Sequence, residues 1–352
     1  MSTKSSLARL LIISALFVSA CGSDGSTDES TAGSSASDNG AVTTVDPDAF
    51  FDGALTEDAV TTDCTLASGT QTSCYELTIA GFPATRDEIG PWCPKTTSDT
   101  AEDAGIWFDG DAVYDVDGEF ITSLAEIYDD PTWKLYDDEG NVLSTDSSAK
   151  FNDLVTGGAQ DDPDAGPVNL CVYGEIEWTE NGGAVPSTIE IPITPIVADE
   201  PSDVGATVGV TLDGVTIDGS APIELILGNY TIGVFDDCGG HVNPQEGYHM
   251  HATTGCSNAE QDVDEGETAL FGYALDGYGI HAPYESDAQA GAGLDVCNGH
   301  DTDSLGYHYH ANTAAENAVL TCFRGETTET ANTGPGAGGP PPGGGAPPSD
   351  GQ

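Results

Sequence analysis

The feature that most constrains the fold is a histidine-rich segment that occurs twice with the same internal spacing. Cys238–His241 (Cys-Gly-Gly-His) is followed after five residues by Gly247–Ala252 (Gly-Tyr-His-Met-His-Ala). Cys297–His300 (Cys-Asn-Gly-His) is followed after five residues by Gly306–Ala311 (Gly-Tyr-His-Tyr-His-Ala). The second copy begins 59 residues after the first, at 297 rather than 238, which indicates a duplicated unit.

The similarity between the two copies continues upstream. Gly209–Asp218 matches Gly272–His281 with an offset of 63 residues, from 209 to 272. We therefore predict a tandem pseudo-repeat of about 60 residues. Because similar halves often pack about a pseudo-twofold axis, we expect the two units to be related in this way and to build one site between them.

The spacing of the histidines predicts that each copy presents them on one face of a strand. Alternate side chains of a strand point to opposite faces, so His249 and His251 share a face, with Tyr248 and Met250 behind them. The third histidine of each copy, His241 or His300, follows a glycine. We expect a tight loop at this glycine to fold the imidazole over the strand. The candidate metal ligands are His241, His249, His251, His300, His308 and His310, with His281 and Asp218 as further candidates at matching repeat positions.

Three imidazoles are the ligand number of an open zinc or copper site, so we predict that these residues bind copper or zinc. The sequence allows two arrangements, either two three-histidine sites or one paired site. All seven histidines of the chain fall between residues 241 and 310, which favours a shared function over seven unrelated core or surface positions.

Two other functions stay open at this point. The first is a metal-free surface binding or adhesion module, in which the histidines form a hydrogen-bonded framework. The second is a metal-dependent hydrolase or oxidoreductase. No nucleophile signature and no phosphate-binding loop accompanies the histidines, so the sequence does not identify the protein as an enzyme, and the surface ligand or substrate is left open.

The charge of the chain excludes one class of partner. The 352 residues contain 7 Lys+Arg and 60 Asp+Glu, which gives a formal net charge of -53. A nucleic acid is bound by basic side chains that displace its counterions, so we predict no nucleic-acid partner. The acidic residues indicate a solvated surface, because the chain contains no complete calcium-binding loop.

The first 20 residues indicate a lipoprotein signal peptide. Lys4 and Arg9 precede an apolar run, Leu10–Val18, that is too short to span a membrane. The run ends in Val18–Cys21 (Val-Ser-Ala-Cys), which resembles the lipobox of bacterial lipoproteins and implies lipidation of Cys21. With this membrane anchor, the protein is expected in the cell envelope, at the outer membrane or the cell surface.

Composition divides the rest of the chain. Residues 21–48 predict a flexible Ser/Gly/Asp tether, and residues 326–352 predict a disordered Gly/Pro tail. All four Trp precede residue 180 and all seven His follow residue 240, which separates a module at 49–200 from a second at 201–325.

We predict a mainly β fold, either all-β or β-rich α+β. In the first module, Ser123 predicts the start of a short helix and Thr188–Ile191 predicts an edge strand.

The cysteines predict disulfides. Nine cysteines less Cys21 leave an even number, four in each module, and an extracytoplasmic location favours their oxidation. Four cysteines allow three connectivities in each module. We predict the pairs Cys64–Cys74, Cys93–Cys171, Cys238–Cys256 and Cys297–Cys322. The alternative for the second module is a thiolate metal ligand at Cys238 or Cys297.

The second module resembles the YHYH-domain proteins over about residues 205–325. The first tetrad is Tyr-His-Met-His here, which keeps both histidines, and His281 stands where the family often has Tyr. Members of the family are secreted or surface-attached, so the resemblance implies an extracytoplasmic YHYH domain and leaves its biochemical role open. The motifs that carry it are Tyr307–His310, Cys238–His241, Gly272–Gly277, Cys297–His300 and Cys322–Gly325, with a weaker extension to Gly90–Pro94.

Overall fold

The computed structural model describes residues 43–155, 166–258, 266–284 and 293–331. The predicted signal peptide, Cys21 and most of the predicted tether and tail lie outside these residues. Among the described residues, none of the helices combines the length and the apolar character that crossing a bilayer requires.

The described residues form a mainly β fold, as predicted, with seventeen strands and three short α-helices. Strands β1–β9 are Val60–Thr65, Gln71–Ile79, Ile106–Phe108, Val113–Asp115, Leu170–Val172, Ser187–Pro192, Val197–Asp203, Thr207–Thr211 and Thr216–Asp218. Strands β10–β17 are Thr231–Gly233, Gly240–Asn243, Gly247–Met250, Leu270–Ala274, Gly279–His281, Gly299–Thr302, Gly306–His310 and Cys322–Gly325. Helices α1–α3 are Gly118–Ile127, Ser148–Val155 and Ile223–Gly228.

The histidine-rich segments belong to one eight-stranded sheet with the order β11-β12-β9-β8-β13-β14-β16-β15. The two central strands, β8 and β13, are antiparallel, with Val210 opposite Tyr273. On one side of this centre, the sheet continues with β9 and then with the histidine hairpin β11-β12. On the other side, it continues with β14 and then with the histidine hairpin β15-β16. The sheet therefore places the two histidine hairpins at its opposite edges.

Two hydrophobic cores hold the sheet, and both contain residues from each predicted module. In the first core, Leu77 and Ile191 pack with Val210. In the second core, Phe108 stacks on Phe235 with 4.1 Å between ring centroids. Backbone pairing also joins the two segments, because β5 pairs with β10 and β7 pairs with β17. Residues 49–200 and 201–325 thus share their cores.

The ordered chain extends past both predicted limits of the folded modules. Val45, in the predicted tether, is 3% exposed and belongs to the first core. The Thr43 hydroxyl donates to the carbonyl of Leu305 at 2.5 Å. Thr328, in the predicted tail, is buried and forms a β-bridge with Leu66. Short segments on either side of the modules therefore complete the packing.

All four predicted disulfides are confirmed. The pairs are Cys64–Cys74, Cys93–Cys171, Cys238–Cys256 and Cys297–Cys322. Cys238 and Cys297 are therefore not thiolates, and the alternative of a mixed cysteine and histidine metal site is wrong for both.

Two local predictions in the first module have different outcomes. The edge strand at Thr188–Ile191 is confirmed, because β6 is the outer strand of the sheet β1-β2-β6. The helix start at Ser123 is wrong, because α1 begins at Gly118. The carboxylate of Asp117 caps this helix by accepting from the backbone N–H of Phe120 at 2.8 Å, so Ser123 lies inside the helix.

Candidate metal centres

The first histidine cluster consists of His241, His249 and His251. The hairpin β11-β12 places His241 directly opposite His249, and residues paired in this way project on the same face of a sheet. Their Nε2 atoms are 3.0 Å apart, and the Nε2 atoms of His241 and His251 are 3.2 Å apart. Three ring nitrogens therefore converge on one point.

The second histidine cluster consists of His300, His308, His310 and Glu267. The hairpin β15-β16 places His300 opposite His308, with 3.0 Å between Nε2 atoms, and His310 Nε2 is 3.2 Å from His300 Nε2. A Glu267 carboxylate oxygen lies 3.1 to 3.5 Å from all three ring nitrogens. The second cluster thus brings together three nitrogens and one oxygen.

The third histidine of each cluster does not come from a loop, which corrects the sequence-based prediction. His241 and His300 lie within strands β11 and β15. The turn at residues 243–247 closes a hairpin whose register sets His241 against His249, and residues 302–306 do the same in the second copy. Cross-strand pairing brings the third imidazole to the site in both copies.

The loop before each hairpin is held by an aspartate. Asp236 accepts hydrogen bonds from the backbone N–H groups of Cys238 and Gly240, at 3.0 and 3.1 Å. The hydroxyl of Tyr248, from the opposite strand, donates to the same carboxylate at 2.9 Å. Asp295 repeats these contacts in the second copy, where it accepts from Cys297, Gly299 and Tyr307. These bonds fix the start of the strand that carries the third histidine.

The glycines that precede His241 and His300 are required by the tyrosine of the facing strand. At Gly240, a β-carbon would collide with the hydroxyl of Tyr248, and at Gly299 it would collide with the hydroxyl of Tyr307. The ring therefore lies against a backbone without a side chain, and this packing explains the Gly-His and Tyr-His pairs of both copies.

Hydrogen bonds to backbone carbonyls fix the tautomers of the histidines on the second strand. In the first cluster, His249 Nδ1 lies 3.2 Å from the carbonyl of Gly247, and His251 Nδ1 lies 2.5 Å from that of Gly219. A carbonyl only accepts, so Nδ1 carries the proton and Nε2 of each neutral ring presents a lone pair. In the second cluster, the carbonyls of Gly306 and Ala282 have the same role for His308 and His310.

Burial favours the neutral form of His241, His251, His281 and His310. It lowers the pKa of His251 and of His310 to about 4, and it holds the pKa of His241 well below its usual value. Burial also lowers the pKa of His281 to about 4. A neutral imidazole is the form that ligates a metal, so burial prepares these side chains for coordination.

The spacing of the converging atoms fits a tetrahedral ion. Ligands about 2.0–2.1 Å from zinc define a tetrahedron with edges of roughly 3.3–3.4 Å. The separations of 3.0 to 3.5 Å between Glu267, His300 and His308 bracket this value. Both histidine clusters could hold a metal ion, because their ligand atoms all lie within 4.8 Å of one another.

The two clusters differ at the fourth position. In the second cluster, burial raises the pKa of Glu267, but His308, His300 and His310 together outweigh it and the pKa is lowered, which favours the ionised carboxylate. In the first cluster, Asp218 Oδ2 is 4.0 Å from His249 Nε2, and Asp218 and Glu246 converge on His249 alone. The first cluster therefore has three close donors and the second has four.

The two additional candidates have different outcomes. Asp218 forms a further group that could hold a metal ion, with Glu246 and with His249 of the first cluster, whereas His281 belongs to none of the groups among the described residues. The ring of His281 lies beside that of His308, with 4.6 Å between centroids, and its Nδ1 is 2.6 Å from the carbonyl of Thr268. Glu267 and Glu246 were not among the candidate ligands predicted from the sequence. Neither carboxylate is marked by a histidine-like spacing.

A cavity of about 600 Å³ opens beside the first cluster. Its wall includes His241, His249 and His251, together with Asp218 and Glu246. Most of the remaining wall is apolar, so the first cluster faces a space that a small molecule can enter.

The two clusters have separate ligand sets. Strands β12 and β16 are five strand spacings apart along the sheet, a path of roughly 24 Å at about 4.8 Å per spacing. Among the described residues, no group of metal-binding side chains combines histidines of both clusters. Of the two arrangements that the sequence left open, the structure has two three-histidine clusters and not one site formed between the halves.

Residues 188–292 match the model of a family described as YHYH protein. The chain thus carries a YHYH region, in agreement with the resemblance of its motifs. The match includes the three histidines of the first cluster and Glu267, and it ends before Tyr307–His310. No curated protein and no solved structure matches the chain.

Proposed function

We propose that the protein binds two transition-metal ions, zinc or copper, one at each histidine cluster. The observation that carries this proposal is the convergence of lone pairs. His249 and His251 both present an unprotonated Nε2 to His241 at hydrogen-bond distance, and one proton cannot satisfy two acceptors equally. A cation at the centre satisfies all three nitrogens.

The donor atoms favour zinc or oxidised copper over copper(I). Imidazole suits zinc and copper alike, whereas copper(I) prefers soft thioether or thiolate ligands. Met250 is the nearest thioether in sequence, and it is fully buried in the first core behind the histidine face. The carboxylate of Glu267 is a hard ligand and supports a divalent ion at the second cluster.

We further propose that Cys21 anchors the protein to the cell envelope through lipid. The basic residues Lys4 and Arg9, the short apolar run and the lipobox-like Val18–Cys21 support this location. The four disulfides are typical of an extracytoplasmic protein. A Cys21→Ser variant is expected to lose incorporation of labelled fatty acid and to leave the membrane fraction. Retention of both would contradict the anchor.

Metal content tests the metal proposal. The full chain is produced in an oxidising compartment without a polyhistidine tag and compared with His249→Ala/His251→Ala and His308→Ala/His310→Ala. Elemental analysis is expected to give about two zinc or copper ions per wild-type chain and about one in each double variant. Circular dichroism checks that all three proteins are folded. A folded wild type that stays metal-free after loading would support the metal-free binding module instead.

A further inference from the structure

The cavity beside the first histidine cluster has the size and lining of a small-molecule site. Its volume of about 600 Å³ lies within the usual range for ligand pockets, about 300–1,000 Å³. Helices α2 and α3 and strand β10 contribute to its wall. The apolar part of this wall includes Phe151, Leu154, Val172, Leu225 and Ile226.

Several polar groups of the cavity wall belong to the first cluster or lie close to it. The three imidazoles of the first cluster leave a fourth coordination position free of a close protein donor. Asp218 also lines the cavity; its side chain is 14% exposed, and its Oδ2 atom lies 4.0 Å from His249 Nε2. A ligand O–H or N–H bound beside the cluster can therefore donate to this carboxylate.

The geometry points to one binding site, formed by the cavity and the first cluster, for a small apolar molecule with a bifunctional head group. The head carries one oxygen that coordinates the metal and one O–H or N–H that donates to Asp218. The apolar body fills the space beside Leu225 and Ile226. This inference rests on the proposed metal at the first cluster, and it adds the class of ligand.

Two hydroxamates with the same head group test the inference. Acetohydroxamate supplies the coordinating oxygen and the N–H, and phenylbutyrohydroxamate adds an apolar tail. Calorimetric titration of the zinc-loaded wild type is expected to show at least about tenfold tighter binding of the tailed compound, because burial of each methylene favours binding. Equal affinity of the two compounds for metal-loaded protein would overturn the inference while the proposed metal function stands.

A matched pair of variants separates the cavity from general effects. Leu225 is 46% exposed at the cavity wall, and Leu143 is 39% exposed outside that wall, so both tolerate a polar side chain. Leu225→Asp is expected to remove most of the advantage of the tail, measured as the ratio of the affinities of the two compounds. Leu143→Asp is expected to leave this ratio unchanged. A tail effect that survives Leu225→Asp would place the ligand elsewhere.

Removal of the metal tests the head group. His249→Ala/His251→Ala is expected to abolish binding of both hydroxamates, whereas His308→Ala/His310→Ala keeps it. Elemental analysis of the same samples reports whether the first cluster holds metal. If the wild type contains none at this cluster, the proposed function fails and the inference fails with it. If metal is present and neither hydroxamate binds, only the inference fails.

Discussion

The two histidine clusters share a frame and differ in what completes them. Each is built by an antiparallel hairpin with a cross-strand histidine pair, an aspartate that holds the loop and a tyrosine that packs on glycine. In the second cluster, Glu267 occupies the fourth position, whereas the first cluster faces a cavity. A four-donor site without an open position is typical of structural metals, and a three-histidine site with an open position is typical of ligand exchange or catalysis.

The matching positions at the ends of strands β9 and β14 add to this difference. Asp218 ends β9 beside the first cluster, and His281 ends β14 beside the second. Burial raises the pKa of Asp218 to about 6, whereas His281 is fixed by the carbonyl of Thr268. Asp218, which has an oxygen without a hydrogen-bond partner among the described residues, therefore lies beside the first cluster with its open position. His281, whose Nδ1 is hydrogen-bonded, lies beside the second cluster with its four donors.

The largest expected effect separates the clusters by their contribution to stability. A ligand that binds only the folded protein adds about 4 kcal/mol to the free energy of unfolding at 1,000 times its dissociation constant. We expect His308→Ala/His310→Ala to remove most of the rise in melting temperature that zinc produces, and His249→Ala/His251→Ala to remove less. Thermal melts with and without zinc measure this. An equal loss in both variants would show that the fourth donor adds no affinity.

Replacing the fourth donor tests the role of Glu267 directly. Glu267→Gln keeps the shape of the side chain but removes its charge, so we expect zinc affinity at the second cluster to fall by about 10–100-fold. Competition with a chromophoric chelator measures the affinity in the His249→Ala/His251→Ala background. Glu246→Gln is the control in the opposite background, and it should have a smaller effect. Unchanged affinity in Glu267→Gln would remove Glu267 from the coordination sphere.

Gly240 and Gly299 test the frame that the clusters share. Because a methyl group at either position meets a tyrosine hydroxyl, alanine is expected to lower the free energy of unfolding by about 1–3 kcal/mol at both sites. Gly183→Ala is the control, because nothing lies within 4 Å of a β-carbon there. Urea unfolding measures the three variants without metal. A large loss at only one of the two sites would mean that the hairpins are not packed alike.

The pH dependence of the metal-free protein is a net effect, in which buried histidines and buried aspartates oppose each other. Burial lowers the pKa of His251, His281 and His310 to about 4, below the unfolded value of about 6.5. The unfolded chain therefore binds more protons in this interval, and stability falls as pH decreases from about 6.5 to about 4. Burial also raises the pKa of Asp218 and Asp276 to about 6, which adds stability at low pH that is lost as pH rises through 6.

The histidines outnumber these aspartates, since burial also lowers the pKa of His241 and His249, so we expect a net loss of stability on acidification. Urea unfolding of chelator-treated protein at several pH values measures the slope. His281→Gln removes one of the titrating rings and is expected to flatten it. A slope of the opposite sign would mean that the aspartates dominate.

Local patterns predicted the six clustered histidines and the four disulfides. The histidine spacing is a short-range periodicity, and the even number of cysteines indicates disulfides, but parity does not decide among the three connectivities of each module. Glu267 had no such signal, because it is one of 60 acidic residues and the position 63 residues earlier is Val204. It reaches the second cluster only through tertiary folding, which brings it within 3.1 Å of His308.

The long-range packing of the fold was also beyond the sequence analysis. The change in Trp and His content near residue 200 indicates a difference in composition, but β5 pairs with β10 and β7 pairs with β17 across it. Such pairings depend on burying surface between distant segments, and no local periodicity records them. The origin of the two hairpins by duplication remains a prediction from the repeated sequence.

Cobalt(II) spectroscopy tests the central claim most directly, because tetrahedral cobalt absorbs visible light and its spectrum reports exchange of a ligand. Each cluster is measured alone, the first in His308→Ala/His310→Ala and the second in His249→Ala/His251→Ala, during titration with azide. We predict that azide changes the spectrum of the first cluster and leaves that of the second unchanged. A change at the second cluster, or none at the first, would contradict two centres that differ at the fourth position.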